Sequence, residues 1–446
     1  MKTPEEKVED KTEAQSPKTV SKPNKIRLVL IIFLSVLFGY IVGITKVSFD
    51  IHHFVPNVQV SSKEPPASLQ FGNTDRMWQV LGQLEDMYYD KKAINADKLL
   101  DGAISGMVSS LDDPYTLYLP PQQNNDFKQG MAGQFEGIGA ELGLKGKDIV
   151  VVAPLDGSPA IKAGIKAGDV ILKVNGQIVV GMNLNQVVSK IRGQKGTPVT
   201  ITIVHKGAEK ATDVKIIRDT ITVKSITTWT KKISDIENID KKDDGLSQAG
   251  NTKILYVRLA QFGNSTHDEW QAFAESASKQ LKADSSIKGV VFDLRNNPGG
   301  FLDDAIYIVS EFVPSGTAVM KEDGNGNRKQ YPVSTKGVLT EIPVVVLINK
   351  GSASAAEITA GGLRDNGRAT LVGENSFGKG TVQQALDLGG GAGLHVTIAK
   401  WLTPNGTWVG NGKNGKGLTP DVSVQLDTKD PTHDTQLEKA VEQLIK

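Results

Sequence analysis

The chain has no cysteine at all, which excludes disulfides, thiolate nucleophiles and cysteine-held metals. It has only six histidines, scattered at 52, 53, 205, 267, 395 and 433, and none forms an HExxH or other ligand-spaced pair, so neither a metal nor another cofactor is expected. It has no excess of either charge: 51 basic residues against 50 acidic ones leave +1. No global field would recruit nucleic acid, so partners must be recognised locally. What is present is length and apolar content. The 446 residues, 39% hydrophobic and 23% charged, suffice for two or three packed domains.

One long hydrophobic run stands near the start. Residues 1–25 read as a polar leader, and Leu28 to Ile44 then contains no charge over 17 residues, about the minimum for a bilayer core of roughly 30 Å. Lys18, Lys22, Lys25 and Arg27 precede it, so the positive-inside tendency puts the leader in the cytoplasm and everything after Lys46 outside. An uncleaved single-pass anchor over 26–46 is expected in preference to a signal peptide, because no small-x-small cleavage site follows. Residues 47–72, with EPPAS, read as a linker.

Apolar residues at helical spacing (Met77, Val80, Leu81, Leu84, Met87, Tyr88; then Leu99, Leu100, Ile104, Met107, Val108, Leu111) predict two helices within a helical region over 73–134. The second ends at the turn signal Asp112-Asp113-Pro114. Residues 135–223 change to short β-branched runs parted by glycine, with Asn175-Gly176 as a hairpin signal and one helix over 184–191. This stretch, with Gly137-Ile138-Gly139-Ala140 and SPAIKAGIKAGDVILKVNGQ, resembles a PDZ domain. The resemblance implies a loop at 137–140 whose backbone holds a peptide's C-terminal carboxylate while the peptide adds as a strand. Residues 231–252 are charged and read as a surface insertion. The core over 224–430 then alternates apolar strands with helices, as an α/β fold does, and 431–446 ends in a short helix.

Three segments of the core could carry chemistry. In NKGSASAAEITAGGLRD (349–365) an apolar strand runs through a glycine turn into small residues, placing Ser354 near a helix N-terminus that favours a developing oxyanion. Ser354-x-x-Glu357 is equally a capping box, and Ser352 two residues earlier is a rival nucleophile. In GENSFGKGTVQQ (373–384) Lys379 sits between glycines, and acting as a base would require burial to bring its pKa down. Gln383, four residues on, could orient its amine. The stretch 373–379 also fits GxxxxGK, but Gly380 occupies the slot where a P-loop needs Ser or Thr, and VQQALDL alternates like a strand. In DLRNNPGGFLDDA (293–305) a strand ends in Gly299-Gly300, whose N–H groups could join that of Ala355 in an oxyanion hole.

Together with DDPYTLYL and AKWLTPNG, these segments resemble the carboxy-terminal processing peptidases, tail-specific serine proteases of family S41. The likeness runs over roughly residues 75–423. The family's nucleophile falls on Ser354, its lysine base on Lys379, 25 residues later, and its glutamine on Gln383. Asp365 aligns with an acidic position that some members need, and SAAE stands where many have SASE or TASE. The resemblance implies an α/β and α+β multidomain chain: a transmembrane helix, a helical lead-in, a β-rich PDZ domain and a ClpP/crotonase-like peptidase core. It implies protein or peptide substrates with accessible C-termini, a bacterial cell-membrane location with the catalytic part extracytoplasmic, and a helical lead-in able to support a homodimer. It also makes Arg192 a candidate for contacting the core. A catalytically idle PDZ scaffold would have lost Ser354 or Lys379, and a Ser-His-Asp hydrolase would rely on His267 or His395 instead.

Overall fold

A computed structural model describes residues 47–49, 56–58 and 74–446, apart from 146–147, 156, 183, 206, 242–243, 335, 411–415, 428–429 and 431. The expected leader and the anchor over 26–46 lie outside the described residues, as does most of the linker. Among the described residues no helix is long and apolar enough to cross a membrane. The chain divides into residues 1–69 and 70–446. In the first unit Val47–Phe49 pairs antiparallel with Pro56–Val58.

The second unit opens with the two helices that the apolar spacing predicts, α1 (Asp75–Met87) and α2 (Ala96–Ser109). Asn95 caps α2 by accepting from Lys98 N at 2.9 Å. The apolar stripe of α1 covers no core: none of its residues is buried, and Trp78 and Met87 are 62% and 75% exposed. A short strand, β1 (Leu117–Leu119), and α3 (Pro121–Met131) lead to β2 (Gln134–Gly137).

The PDZ-like stretch forms an antiparallel sheet of β3 (Ala140–Lys145), β4 (Asp148–Pro154), β5 (Val170–Val174), β7 (Pro198–Val204) and β8 (Thr212–Ile217), in the order β8-β7-β5-β4-β3. The two-residue β6 (Gln177–Ile178) pairs back on β5 through Asn175-Gly176, both at positive φ (48° and 77°), the backbone that a tight hairpin needs. Beside the sheet lies α5 (Leu184–Ile191), after the short α4 (Pro159–Lys162). Val187 and Ile191 of α5 are buried in the domain's core with Ile149, Ile171, Ile201 and Ile203. The outermost parts of the predicted domain are a stem: β2 pairs antiparallel with β9 (Asp219–Thr222) in a sheet of their own.

The core carries two sheets. The first has the order β10 (Ile226–Lys232), β11 (Lys253–Leu259), β12 (Ile287–Asp293), β15 (Val344–Ile348), β16 (Ala369–Gly373), β19 (Val422–Ser423). From β11 onward its pairs are parallel, which is why β12 and β15 are apolar nearly throughout. On one face α7 (Thr266–Ala283), α8 (Leu302–Phe312) and α9 (Ala355–Asp365) bury an aromatic cluster of Trp270, Phe273, Phe292 and Phe312. The other face is covered by α10 (Thr435–Ile445), held by Arg295, which donates to Asp293 and to Asp434.

Residues 231–252 are not a surface insertion. Their first residues finish β10, and Ile233, Ile236, Ile239 and Leu246 are buried with α10 under the parallel sheet, Leu246 from a short helix, α6 (Asp244–Gln248). Four apolar side chains among many charges are enough to cover one edge of a sheet face. The second sheet is antiparallel: β14 (Arg328–Pro332), β13 (Thr317–Glu322), β18 (Ala392–Leu402) and β17 (Thr381–Gly389), with β1 joined to β18.

Candidate active site

The parallel order places three chain segments side by side, because β12, β15 and β16 are neighbours and each ends on the same edge of the sheet. Beyond β12 comes Asn296 to Gly300, beyond β15 comes Asn349 to Ser354, and beyond β16 comes Glu374 to Lys379. The carboxyl end of a parallel sheet is where open α/β folds gather their functional groups.

The nucleophile candidates separate cleanly here. Ser352 is wholly buried, its Oγ donating to Leu294 O at 2.8 Å and accepting from Asn349 N at 2.9 Å, so it is a structural hydroxyl. Ser354, at the start of α9, has φ 53° and ψ −116°. A non-glycine residue in that region stores about 1–3 kcal/mol of strain, which points to a functional constraint. The glutamate half of the capping box is formed, since Glu357 Oε2 accepts from Ser354 N at 2.8 Å. That turn is gripped from the β12 side: Ala353 N donates to Asn297 O, and the side chain of Asn349 bonds both the backbone and side chain of Asn296.

The glycine pair divides its work. Gly299 N donates to Asn297 Oδ1 at 2.8 Å, so this N–H is not an open oxyanion donor as expected. Its role is closeness: a Cβ there would stand 2.7 Å from Ser354 Cβ and 2.9 Å from Ala355 N. Among the described residues Gly300 N and Ala355 N make no hydrogen bond, and they are the donors left free beside Ser354.

Glu357 is the residue that sequence reasoning took for a cap and nothing more. Its carboxylate has no exposure, and it accepts from four groups: Ser376 Oγ and Gly378 N on Oε1, Ser354 N and Lys379 N on Oε2. The amides of Ser354 and Lys379 therefore share one oxygen atom. Burial pushes the carboxyl up against the downward pull of these four hydrogen bonds, and burial wins. The spacing of Glu357 was visible, but its second set of partners lies some twenty residues away in the sequence.

Lys379 is held from behind. Trp401 Nε1 donates to Lys379 O and Trp408 Nε1 to Gly380 O, both at 2.8 Å, which accounts for the tryptophans around LTPNG. A Cβ on Gly380 would meet Trp408 Nε1 at 2.3 Å, and the segment continues into strand β17, so the phosphate-loop reading fails on both counts. Burial lowers the lysine's pKa, opposed by the carboxylates of Glu357 and Asp113. Its Nζ lies 5.1 Å from the centre of the Tyr115 ring. Gln383 lies on β17 and its amide nitrogen donates to Thr381 Oγ1 and Thr397 Oγ1, at 2.8 and 3.1 Å, so the expected direct bond to the lysine is not formed.

Two expected positions are elsewhere. Asp365 closes the far end of α9, about 16 Å of helix from Ser354, where it bonds Arg364 and Asn405 N. Arg192 lies with its guanidinium 5.0 Å over the ring of Phe135 in the stem. Gly137 ends β2; Ile138 is buried in the PDZ core, Gly139 sits at φ 73° against Ser158, and Ala140 begins β3. That strand is the edge of its sheet. Neither His267, which faces Asp304, nor His395, packed edge-on to Phe127, hydrogen-bonds Ser354. Among the described residues no cluster could hold a metal.

Family models match for peptidase family S41 over residues 253–424, for a PDZ domain over 150–204, and for the N-terminal domain of the activating protease CtpB over 46–122. The chain is 37% identical over 352 residues to the carboxy-terminal processing protease CtpA of Bacillus subtilis, covering 79% of this chain and 69% of the relative. It is 40% identical over 329 residues to a carboxy-terminal-processing protease of Bartonella bacilliformis, 74% of this chain and 70% of that one. Among solved structures it is similar to the photosystem II D1 C-terminal processing protease, at 32% identity and a TM-score of 0.47, covering 81% of this chain and 90% of that one.

Proposed function

Since the chain belongs to the carboxy-terminal processing proteases of peptidase family S41 and is a serine-type peptidase with a PDZ domain, we propose that Ser354 and Lys379 form its catalytic dyad. The observation that carries this is the shared Glu357 oxygen, which accepts from the backbone amides of both the strained Ser354 turn and half-buried Lys379 and so pins the two loops side by side.

Neutral Lys379 takes the Ser354 hydroxyl proton, and Oγ attacks the scissile carbonyl. The N–H groups of Gly300 and Ala355 receive the tetrahedral oxyanion, helped by the positive end of α9. The ammonium returns its proton to the leaving amine, and water then releases the acyl-enzyme with the same amine as base. Burial makes the neutral amine available below the ordinary lysine value of 10.5, so activity rises with pH through that lowered pKa.

Substrates are proteins or peptides with accessible C-terminal tails. The free edge of β3 can accept a tail as an added strand beside α5, with the 137–140 loop at its carboxylate. The test is cleavage of an unstructured protein with an apolar C-terminus, free or amidated. The free form should have a KM lower by about tenfold, as the loss of one charge-assisted contact implies; equal KM values would remove the PDZ domain from tail recognition.

We place the protein as a single-pass bacterial membrane protein with its catalytic part outside, on the charge-free run 28–44 and its basic flank. Protease added to intact cells should digest the PDZ domain; its protection would overturn this orientation. The exposed apolar stripe of α1 suits a second copy of the chain. Sedimentation of the detergent-solubilised chain should give a dimer that Trp78→Glu reduces to a monomer, and a monomeric wild type would exclude it.

A further inference from the structure

The turn Asp113-Pro114-Tyr115-Thr116 follows α2 and lies far in sequence from Ser354 and Lys379, yet it reaches the lysine. The route is β-pairing: β1 joins β18 at Gly393 to His395, and Thr397 N of β18 donates to Thr116 Oγ1 at 3.1 Å. Thr397 stands directly opposite Gln383 on β17. Gln383 Nε2 donates to Thr397 Oγ1, and Thr397 is tied to the Asp113 carboxylate through Thr116, whose Oγ1 accepts from Thr397 N and donates to Asp113 Oδ2. Asp113 is fixed further by Tyr115 N at 3.0 Å and Thr116 Oγ1 at 2.6 Å. Tyr115 presents its ring face to Lys379 Nζ.

We propose that this turn completes the active site: Asp113 is a positioning residue that, through Thr116, holds Thr397, one of the two hydroxyls on which Gln383 rests, and supplies a negative charge beside Lys379, while Tyr115 walls the amine. The helical lead-in is thereby a working part of the peptidase. The inference rests on Lys379 being the base.

The charged and titratable groups facing Lys379 are Glu357 from α9, Asp113 and Tyr115 from the turn, and His395 from β18. Burial alone favours the neutral amine; Glu357 and Asp113 oppose it. Asp113 remains ionised, because burial, which raises its pKa, is outweighed by the hydrogen bonds from Thr116 and Tyr115 N–H and by the lysine's charge. His395 is lowered by burial and by Lys379, so it adds no opposing cation near neutral pH. Removing the Asp113 charge lets Lys379 lose its proton at lower pH, and removing the Thr397 hydroxyl leaves the Gln383 amide held by Thr381 alone.

The test uses the full chain in detergent, with peptide cleavage and labelling of Ser354 by a fluorophosphonate probe measured against pH. Asp113→Asn should move the acidic limb of both profiles to lower pH and reduce the plateau about tenfold. Thr397→Val should lower kcat about tenfold at unchanged KM, with Thr397→Ser restoring it. Limbs and plateaus that coincide with wild type, or a Thr397→Ser no better than Thr397→Val, overturn the proposal. If Asp113→Asn does not fold, the Thr397 pair decides alone. Lys379→Ala separates the two levels: labelling that persists in it refutes the lysine base, whereas its silence beside an unmoved Asp113→Asn refutes only the role of the turn.

Discussion

Ser354→Ala should cut kcat/KM for an unstructured protein substrate by about 10⁴-fold or more, and Lys379→Ala should do the same. The expectation follows from the way the two groups act as one unit. Without the hydroxyl no acyl-enzyme forms, and without the amine nothing takes the hydroxyl proton. The double variant should therefore be no slower than either single one, because both remove the same step. Lys379→Arg should be as inactive as Lys379→Ala, since a guanidinium keeps its proton at any working pH. Folding should be preserved in Ser354→Ala, where a strained non-glycine position loses only an oxygen. The measurement is steady-state cleavage, with circular dichroism to confirm the fold. Either single variant cutting at the wild-type rate would refute the dyad. So would inhibition by His395→Ala with Lys379→Ala left active, which would favour a histidine base.

Glu357→Ala should have the largest effect on stability, about 3–5 kcal/mol. Its loss orphans four donors at once: Ser354 N, Ser376 Oγ, Gly378 N and Lys379 N. Each buried donor left without a partner costs about 1–3 kcal/mol, part of which local relaxation recovers. Glu357→Gln is the sharper variant. It keeps the shape, but one end of its amide must point N–H groups at donors that need an acceptor. Both variants should also lose activity, because the serine and lysine backbones would no longer share an anchor. Chemical denaturation checks the stability, and cleavage with the same substrate checks the activity. A Glu357→Gln enzyme as stable and as fast as wild type would show that the carboxylate is not the clamp.

Much of the architecture was legible because it is local. The apolar spacing of Met77 to Tyr88 specified a helix, although not that its stripe would stay exposed. Asn175-Gly176 specified a hairpin, since both residues tolerate the positive φ that it needs. Residues 342–348 read as a buried strand from their lack of polar positions, and 302–312 as a helix from its periodicity. The misreading of 231–252 shows the limit of such patterns. Ile233, Ile236 and Ile239 are sparse among charges, and only the presence of α10 beside them makes them core.

The sequence by itself determined that the chain carries a serine and a lysine on loops after apolar strands, without cysteine or paired histidines to compete, and a PDZ-like unit upstream. Residue chemistry left Ser352 and Ser354 open, and only the resemblance in spacing favoured the second. Tertiary structure decided several points: that Ser352 spends its hydroxyl on Leu294 and Asn349, that Gly300 rather than Gly299 keeps a free N–H, that Glu357 joins the two loops, and that Gln383 looks to Thr397. The physical reason is the same in each case. Backbone preference and burial pattern are encoded over a few neighbouring residues, whereas the partner of a polar atom is whichever group the folded chain brings within about 3 Å.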